Sequence, residues 1–408
     1  MQRYIFILLL LPLSWLLHAQ PLEVLQQEVE QNNPSLQALR QAYLAAQERI
    51  PQVGQLPQPQ VGVSTFPLPV ETRLGAQQLR VGASQSFPWF GTLEQRKAVE
   101  STKAQRIQEE INLQRQELFA QLDHAYVTLY QLEEERRISA AQLELLAARE
   151  QLALAKVENG QGAIADVLRI QLKEEELRQR LQVLERSQAT PQAVINQLRH
   201  QPANQPISTM DHMTFTVLPW SKEALLQQLK QSHPMLRSYA LEQQITQQEL
   251  QLSQLQQKPS FQLGLDYIAV AEREDAVIDN NGRDILQLRA SVVVPIYRQA
   301  YQAREREQER QLQRIQYQES AMLDQLATVV EHAYTEHATA RLEMELYEKQ
   351  IELTRNLIAI LEGSYATEGT GLDELLRYEQ DLIDYQLKML HAIVKGHHAR
   401  HELQRLLY

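Results

Sequence analysis

Residues 92–158 run TLEQRKAVESTKAQRIQEEINLQRQELFAQLDHAYVTLYQLEEERRISAAQLELLAAREQLALAKVE, 67 positions with no glycine and no proline. Ile107, Ile111, Leu118, Leu122, Ala125, Leu129 and Leu132 fall at spacings of 4, 7, 4, 3, 4 and 3. That heptad seam predicts one supercoiling helix, about 100 Å long at ~1.5 Å per residue. Gly160-Gln161-Gly162 stops it. A helical pattern resumes from Ile164 to Leu198, with Pro191 as a kink or join. Upstream, Leu22 to Ile50 has a helical pattern ending at Pro51, and the stretch from Pro57 to Gly91 carries prolines and glycines.

The same order then returns. Asn33-Pro34 is matched by His233-Pro234, Pro59 by Pro259, Pro88 by Pro295, and Gly160-Gln161-Gly162 by Gly369-Thr370-Gly371. Asp166-Val167-Leu168-Arg169 is matched by Glu374-Leu375-Leu376-Arg377. The offsets cluster near 200, too long for a solenoid repeat, so each copy is a composite unit. Ser221 to Gln257 is helical, 259–295 is strand-like, and 296–367 holds no proline and one glycine, Gly363. Met322, Leu326, Val329 and Ala333 continue a seam there, and a last helix starts at Leu372. The expected division is a first repeat at 20–199, with strands at about 58–88 and a helical hairpin at 92–199. A linker follows at 200–220. The second repeat is 221–408, with strands at about 259–295 and a hairpin at 298–408. In each copy, two flanking helices together match the length of one long helix, which describes a wall two helices thick.

The proline- and glycine-bearing stretches alternate with period two. Val61, Val63 and Thr65 oppose Gln60, Gly62 and Ser64; Leu79, Val81 and Ala83 oppose Arg80, Gly82 and Ser84. Leu263, Leu265 and Tyr267 oppose Gln262, Gly264 and Asp266, and Leu286, Leu288 and Ala290 oppose Gln287, Arg289 and Ser291. Runs of about 9–11 residues suit tilted strands crossing a bilayer, although a soluble hairpin gives the same alternation. Polar turns are expected at Glu71 to Gln78 and Glu272 to Arg283. Four strands cannot close a barrel in lipid, where open edges are not tolerated. Three copies would supply 12 strands, the smallest such assembly with an open lumen.

Composition agrees. The 408 residues include no cysteine, so there is no disulfide, thiolate metal site or cysteine for a lipid anchor. A net charge of −11 argues against nucleic acid as a partner. Arg3 followed by the mostly apolar run Ile5 to Leu17 is a signal-peptide pattern, with 1–19 expected to be removed from an exported chain.

With the duplicated landmarks, the prolines leading into strands and the tips Glu158 to Leu168 and Glu368 to Leu376, the chain resembles the TolC-like outer-membrane factors. Ser86-Phe87-Pro88-Trp89-Phe90-Gly91 is similar to the strand-to-helix junction of their heavy-metal efflux branch. The resemblance implies a mostly α protein with a small membrane β part. It implies a homotrimer whose 12-stranded barrel sits on a long helical barrel in the outer membrane of a Gram-negative cell, with a large periplasmic part. Its partners would be outer-membrane lipid, a periplasmic adaptor and an inner-membrane transporter. Cargo stays open among metal ions, drugs or dyes, and, for a type I secretion duct, polypeptide. The competing class is a poreless periplasmic coiled-coil adaptor, which should carry each landmark once.

Candidate site residues follow. Gly160, Gly162, Gly369 and Gly371 are expected to turn the tips and to dock the adaptor. Asp166, Asp373 and Glu374, just past the turns, are the gate acids expected to make the resting mouth cation-selective. Arg80, Gln262, Asp266, Gln287 and Arg289 face the lumen. His397 and His401, at i,i+4 spacing, are the only metal candidates, against the simpler reading of a solvated helix face. With no phosphate loop, nucleophile elbow or carboxylate pair in a pocket, neither an enzyme nor a cofactor is expected.

Overall fold

Thirteen stretches of regular structure follow one another in the computed structural model, which describes residues 21–210, 212–275, 277–368 and 372–407. The expected signal peptide and the tip glycines Gly369 and Gly371 lie outside the described residues. The order is α1 (Leu22–Asn32), α2 (Pro34–Val53), β1 (Gln60–Thr72), β2 (Gly75–Phe87), α3 (Thr92–Glu158), α4 (Ile164–Ser187) and α5 (Ala189–Leu198). Then come α6 (Lys222–Ser232), α7 (Pro234–Gln256), β3 (Ser260–Val270), β4 (Ile285–Val293), α8 (Gln299–Glu368) and α9 (Leu372–Leu407). The helix–hairpin–long helix–helix unit therefore occurs twice. No helix among the described residues is long and apolar enough to cross a membrane.

The long helices form as the sequence reading expects. On α3, Ile111, Leu118, Leu122, Ala125 and Leu129 are buried, and Ile107 and Leu132 are half-buried. The flanking helices differ from expectation. Leu22 to Ile50 is two helices, because Asn33 leaves the helical region at φ −65°, ψ 122°. Its Oδ1 accepts the N–H of Ser35 (3.0 Å) and of Leu36 (3.4 Å), which caps α2, and its Nδ2 donates to the Leu198 carbonyl at 2.9 Å. Pro34 then takes the first helical position, where a missing N–H costs nothing. Ser221 to Gln257 divides in the same way at His233, whose Nδ1 accepts the Met235 N–H at 3.3 Å. Pro51 does not end its helix; it lies within a turn of the end of α2, so little of the hydrogen-bond ladder is lost. The join expected at Pro191 falls at Gln188, which puts Pro191 in the first turn of α5, where N–H groups have no helical partner.

The four strands make one antiparallel sheet in the order β1-β2-β3-β4. The first hairpin is tighter than expected. Its strands run to Thr72 and from Gly75, leaving only Arg73 and Leu74 as the turn. The second hairpin carries a loop at 271–284, held by reciprocal bonds between the Asn281 amide and the Arg273 backbone (2.8 and 2.9 Å). Edge strand β1 slips register between Thr65 and Val70, where Pro67 and Pro69 offer no N–H.

The chain forms two compact units. One comprises Ala38–Leu113 and Lys230–Gln325 and contains the sheet. Below the strands, Trp89 stacks on Phe261 at 5.9 Å and meets Phe90 edge-on at 6.0 Å. The Gln95 amide donates to the Gln248 carbonyl at 3.0 Å, tying the start of α3 to α7, and Arg314 pairs with Glu242 at 2.7 Å, tying α8 to α7. The other unit comprises the described residues within 1–37, 114–229 and 326–408. Its core holds Leu25, Val29, Leu122, Tyr126, Ile195, Leu225, Leu229 and Val330. The inter-repeat linker is strapped across it: Met210 and Met213 donate N–H to Tyr126 (3.0 Å) and Tyr130 (2.9 Å), and Tyr334 donates to the Trp220 carbonyl at 2.6 Å.

Candidate functional site

The first tip is built by its two glycines in different ways. Gly160 adopts φ +76° in open space, a left-handed conformation that costs other residues energy. Gly162 is needed for closeness instead. A Cβ there would sit 3.0 Å from Lys156 Cβ and from Val157 N. The turn closes as a Schellman-type cap, with Gln161 N–H bonded to the Lys156 carbonyl at 2.9 Å and Gly160 N–H to that of Val157 at 3.0 Å. Beneath it Leu146, Ala153, Val167, Ile170, Ile358, Tyr365, Leu372 and Leu375 form a buried cluster shared by α3, α4, α8 and α9.

Charged groups link the same elements. Arg169 Nη1 lies 2.8 Å from Asp373 Oδ1 and 3.3 Å from Asp166 Oδ1, so one guanidinium gathers the first-turn acids of α4 and α9. Glu374 is exposed. One turn row deeper, the largely buried Arg149 contacts Glu379 and lies 2.5 Å from Glu362. Burial pushes the Glu379 carboxyl up, and Arg149 pulls it back. Lys156 Nζ donates to the Tyr365 carbonyl at 2.7 Å and sits 3.6 Å over the Tyr365 ring. Burial, with Asp166 adding to it, raises the Tyr365 hydroxyl. The sequence reading named the acids and missed the cations Arg149, Lys156 and Arg169. Arg169 alone carried a signal, standing three residues after Asp166 inside a duplicated landmark.

In the other unit the register brings Arg80, Gln262, Asp266, Gln287 and Arg289 to one face of the sheet. Gly82, Asp266 and Gln287 lie in one row, and Ser84, Gly264 and Arg289 in the next. Arg80 Nη2 binds Asp266 Oδ2 at 2.6 Å. The opposite face presents apolar side chains outward, with Val61 73%, Val63 65%, Leu263 56% and Leu288 84% exposed. Strands β1 and β4 each have one edge without a partner in the sheet.

His397 and His401 have protein partners. His397 Nε2 meets the Thr214 carbonyl at 2.8 Å, and His401 Nδ1 lies 3.0 Å from Asp123 Oδ2. Among the described residues no group of three or more His, Cys, Asp or Glu side chains is arranged to hold a metal ion. His398 packs against His124 at 4.5 Å between ring centroids, and burial pushes it down to about 4.

No family model matches the chain, and no curated protein matches it. Solved structures do. The outer-membrane channel OprN aligns with a TM-score of 0.73 at 17% identity, over 95% of this chain and 89% of its own. The open state of the MtrE outer membrane channel of Neisseria gonorrhoeae gives 0.74 at 14%, over 95% and 88%. The outer membrane protein VceC of Vibrio cholerae gives 0.72 at 15%, over 95% and 96%. At such identities the likeness is one of fold, and it spans nearly the whole of these chains.

Proposed function

We propose that this chain is the outer-membrane exit duct of a tripartite efflux system, passing cargo from a periplasmic adaptor and inner-membrane transporter to the exterior. The observation that carries the reading is the sheet. One face exposes Val61, Val63, Leu263, Leu286 and Leu288, the other bears Arg80, Asp266 and Arg289, and both edges are open. An open-edged sheet with an exposed apolar face is stable in lipid only when closed. Three chains close it as a 12-stranded homotrimer, apolar face to lipid and polar face to a water-filled lumen. Trp89, Phe90 and Phe261 then sit where an aromatic belt belongs. The likeness to outer-membrane channels supports the same reading.

The six tips of the trimer ring its periplasmic mouth and dock the adaptor through the turns at Gly160, Gly162, Gly369 and Gly371. Asp166, Asp373 and Glu374 give that mouth its cation preference, with Arg169 clamping the first two at rest. The transporter sets the cargo, with metal ions the class suggested by Ser86 to Gly91.

Mass measurement in detergent tests the assembly: a trimer is expected, and a stable monomer embedded in micelles refutes the shared barrel. Asp166→Asn with Glu374→Gln, inserted in planar bilayers, tests the mouth; unchanged ion selectivity removes the gate acids. Full efflux from cells carrying bulky substitutions at Gly162 and Gly371, at normal trimer levels, removes the docking role.

A further inference from the structure

The polar face of the sheet is not electrically balanced. Its paired strand positions between residues 60 and 293 carry two guanidinium groups, Arg80 and Arg289, and one carboxylate, Asp266; the rest are Gln, Ser, Gly and Thr72 with Val70, Ile268, Val270, Ile285 and Val293. The carboxylate is committed to Arg80 at 2.6 Å and is only 2% exposed. Arg289 reaches the same carboxylate only at 3.9 Å, beyond hydrogen-bond range, and stays 48% exposed.

Two glycines build this arrangement. A Cβ on Gly82 would fall 2.1 Å from Asp266 Oδ1, so the carboxylate lies flat across β2. A Cβ on Gly264 would fall 3.3 Å from both Nε and Nη2 of Arg289, so the guanidinium lies flat across β3. In the next row Gln262 donates to Ser84 Oγ at 3.0 Å and accepts from Ser291 Oγ at 3.4 Å, which closes the polar floor beside Arg289. The guanidinium is held by packing while most of its donors remain unused, the form of an anion site rather than of a spent ion pair.

We propose that Arg289 is an anion-binding, selectivity-determining residue of the barrel lumen, taking small inorganic anions and the anionic groups of cargo. The inference rests on the trimeric barrel, where three copies form one ring with a surplus of one positive charge each. This ring acts against the acidic mouth: tip carboxylates favour cations at entry, and the barrel favours anions on the way out.

Reversal potentials across planar bilayers under a KCl gradient test it. Arg289→Gln should lower the chloride-to-potassium permeability ratio by about 2- to 3-fold, the scale expected for removing one ring of like charge from a narrow lumen. Arg289→Lys should retain the wild-type ratio. For the wild type, millimolar sulfate on the barrel side should reduce the chloride-carried current, and Arg289→Gln should abolish that block. Full-size channels with an unmoved reversal potential overturn the inference and leave the duct reading standing. Failure of sulfate to affect the wild type overturns it even if Arg289→Gln does not assemble. Wild-type protein that inserts but never conducts overturns the duct reading and this inference together.

Discussion

The two copies solve the same problems with different residues. Copy one starts α2 with an asparagine cap, and copy two starts α7 with a histidine ring nitrogen in the same place. Copy one turns its hairpin on two residues, Arg73 and Leu74, whereas copy two uses a loop from 271 to 284. After the first tip, copy one has two helices joined at Gln188; after the second, copy two has the unbroken α9 bearing His391, His397, His398 and His401. What stays fixed is the order of elements and the apolar/polar split of the strands. Those are the features the proposed shared barrel wall would need, while caps, turns and joints are free to drift.

The hairpins should separate the copies most sharply. Gly75 has φ +132°, and a Cβ there would fall 1.7 Å from the Ala271 carbonyl oxygen, a backbone atom. Gly75→Ala should cost more than about 4 kcal/mol and abolish assembled protein in heat-modifiability gels. Gly282, at φ +72°, would meet Glu272 Cγ at 2.5 Å and the Glu272 backbone N only at 3.3 Å, a softer clash than the one at Gly75. Gly282→Ala should cost about 1–2 kcal/mol, and equal damage from both would erase the distinction.

The strand faces should behave alike in both copies. In the proposed barrel Leu79→Arg and Leu288→Arg would point a charge at lipid and should each cost about 2–4 kcal/mol per chain near the midplane. Gln287→Arg, one residue away on the polar face, should assemble normally. If Gln287→Arg fails as badly as Leu288→Arg in a membrane-fractionation assay, the face assignment is wrong.

The caps should differ by less. Asn33→Ala removes two capping contacts and the bond to Leu198, for about 2 kcal/mol in urea unfolding. His233→Asn restores the copy-one residue and should stay within about 0.5 kcal/mol of wild type.

The mildest effect comes from α9 and depends on pH. His398 is held neutral, lowered from 6.5 to about 4 mainly by burial, with His124 next. The unfolded chain therefore binds a proton more readily between these values, and stability falls as pH drops from about 6.5 toward about 4. About 1 kcal/mol should be lost by pH 5.5 after allowing for screening of the half-buried ring. Glu135, lowered chiefly by its bond to His391, acts in the same direction in a separate window below about 4.5. His398→Leu should flatten the melting temperature between pH 7 and 5.5, and an unchanged slope would remove His398 as its source.

How much of this was legible depended on distance along the chain. The strand faces and long helices follow from local period, so Leu263 against Gln262 and the seam from Ile111 to Leu129 could be read directly. The break at Asn33 was missed although Asn33-Pro34 stood out as a landmark, because the apolar spacing continues across it. Recognising Asn33 as a cap required seeing that Pro34 opens a helix rather than interrupts one. Arg169 was missed for another reason: its partner Asp373 is 204 residues away, and nothing in local spacing announces such a pair.

The prolines of β1 bear on how an incomplete copy survives. Pro67 and Pro69 remove two N–H donors from that strand, so in the proposed trimer a lone chain awaiting its neighbours would offer a poorer template for indiscriminate strand addition. The same economy limits the finished wall. In the proposed barrel only about seven residues before Pro67 would pair fully with a neighbour's β4, against ladders of ten and nine residue pairs within the chain for β2–β3 and β3–β4. In the proposed trimer the seams between chains would therefore be the weakest lines of the barrel, and a failing assembly should split along them before any single chain loses its own sheet.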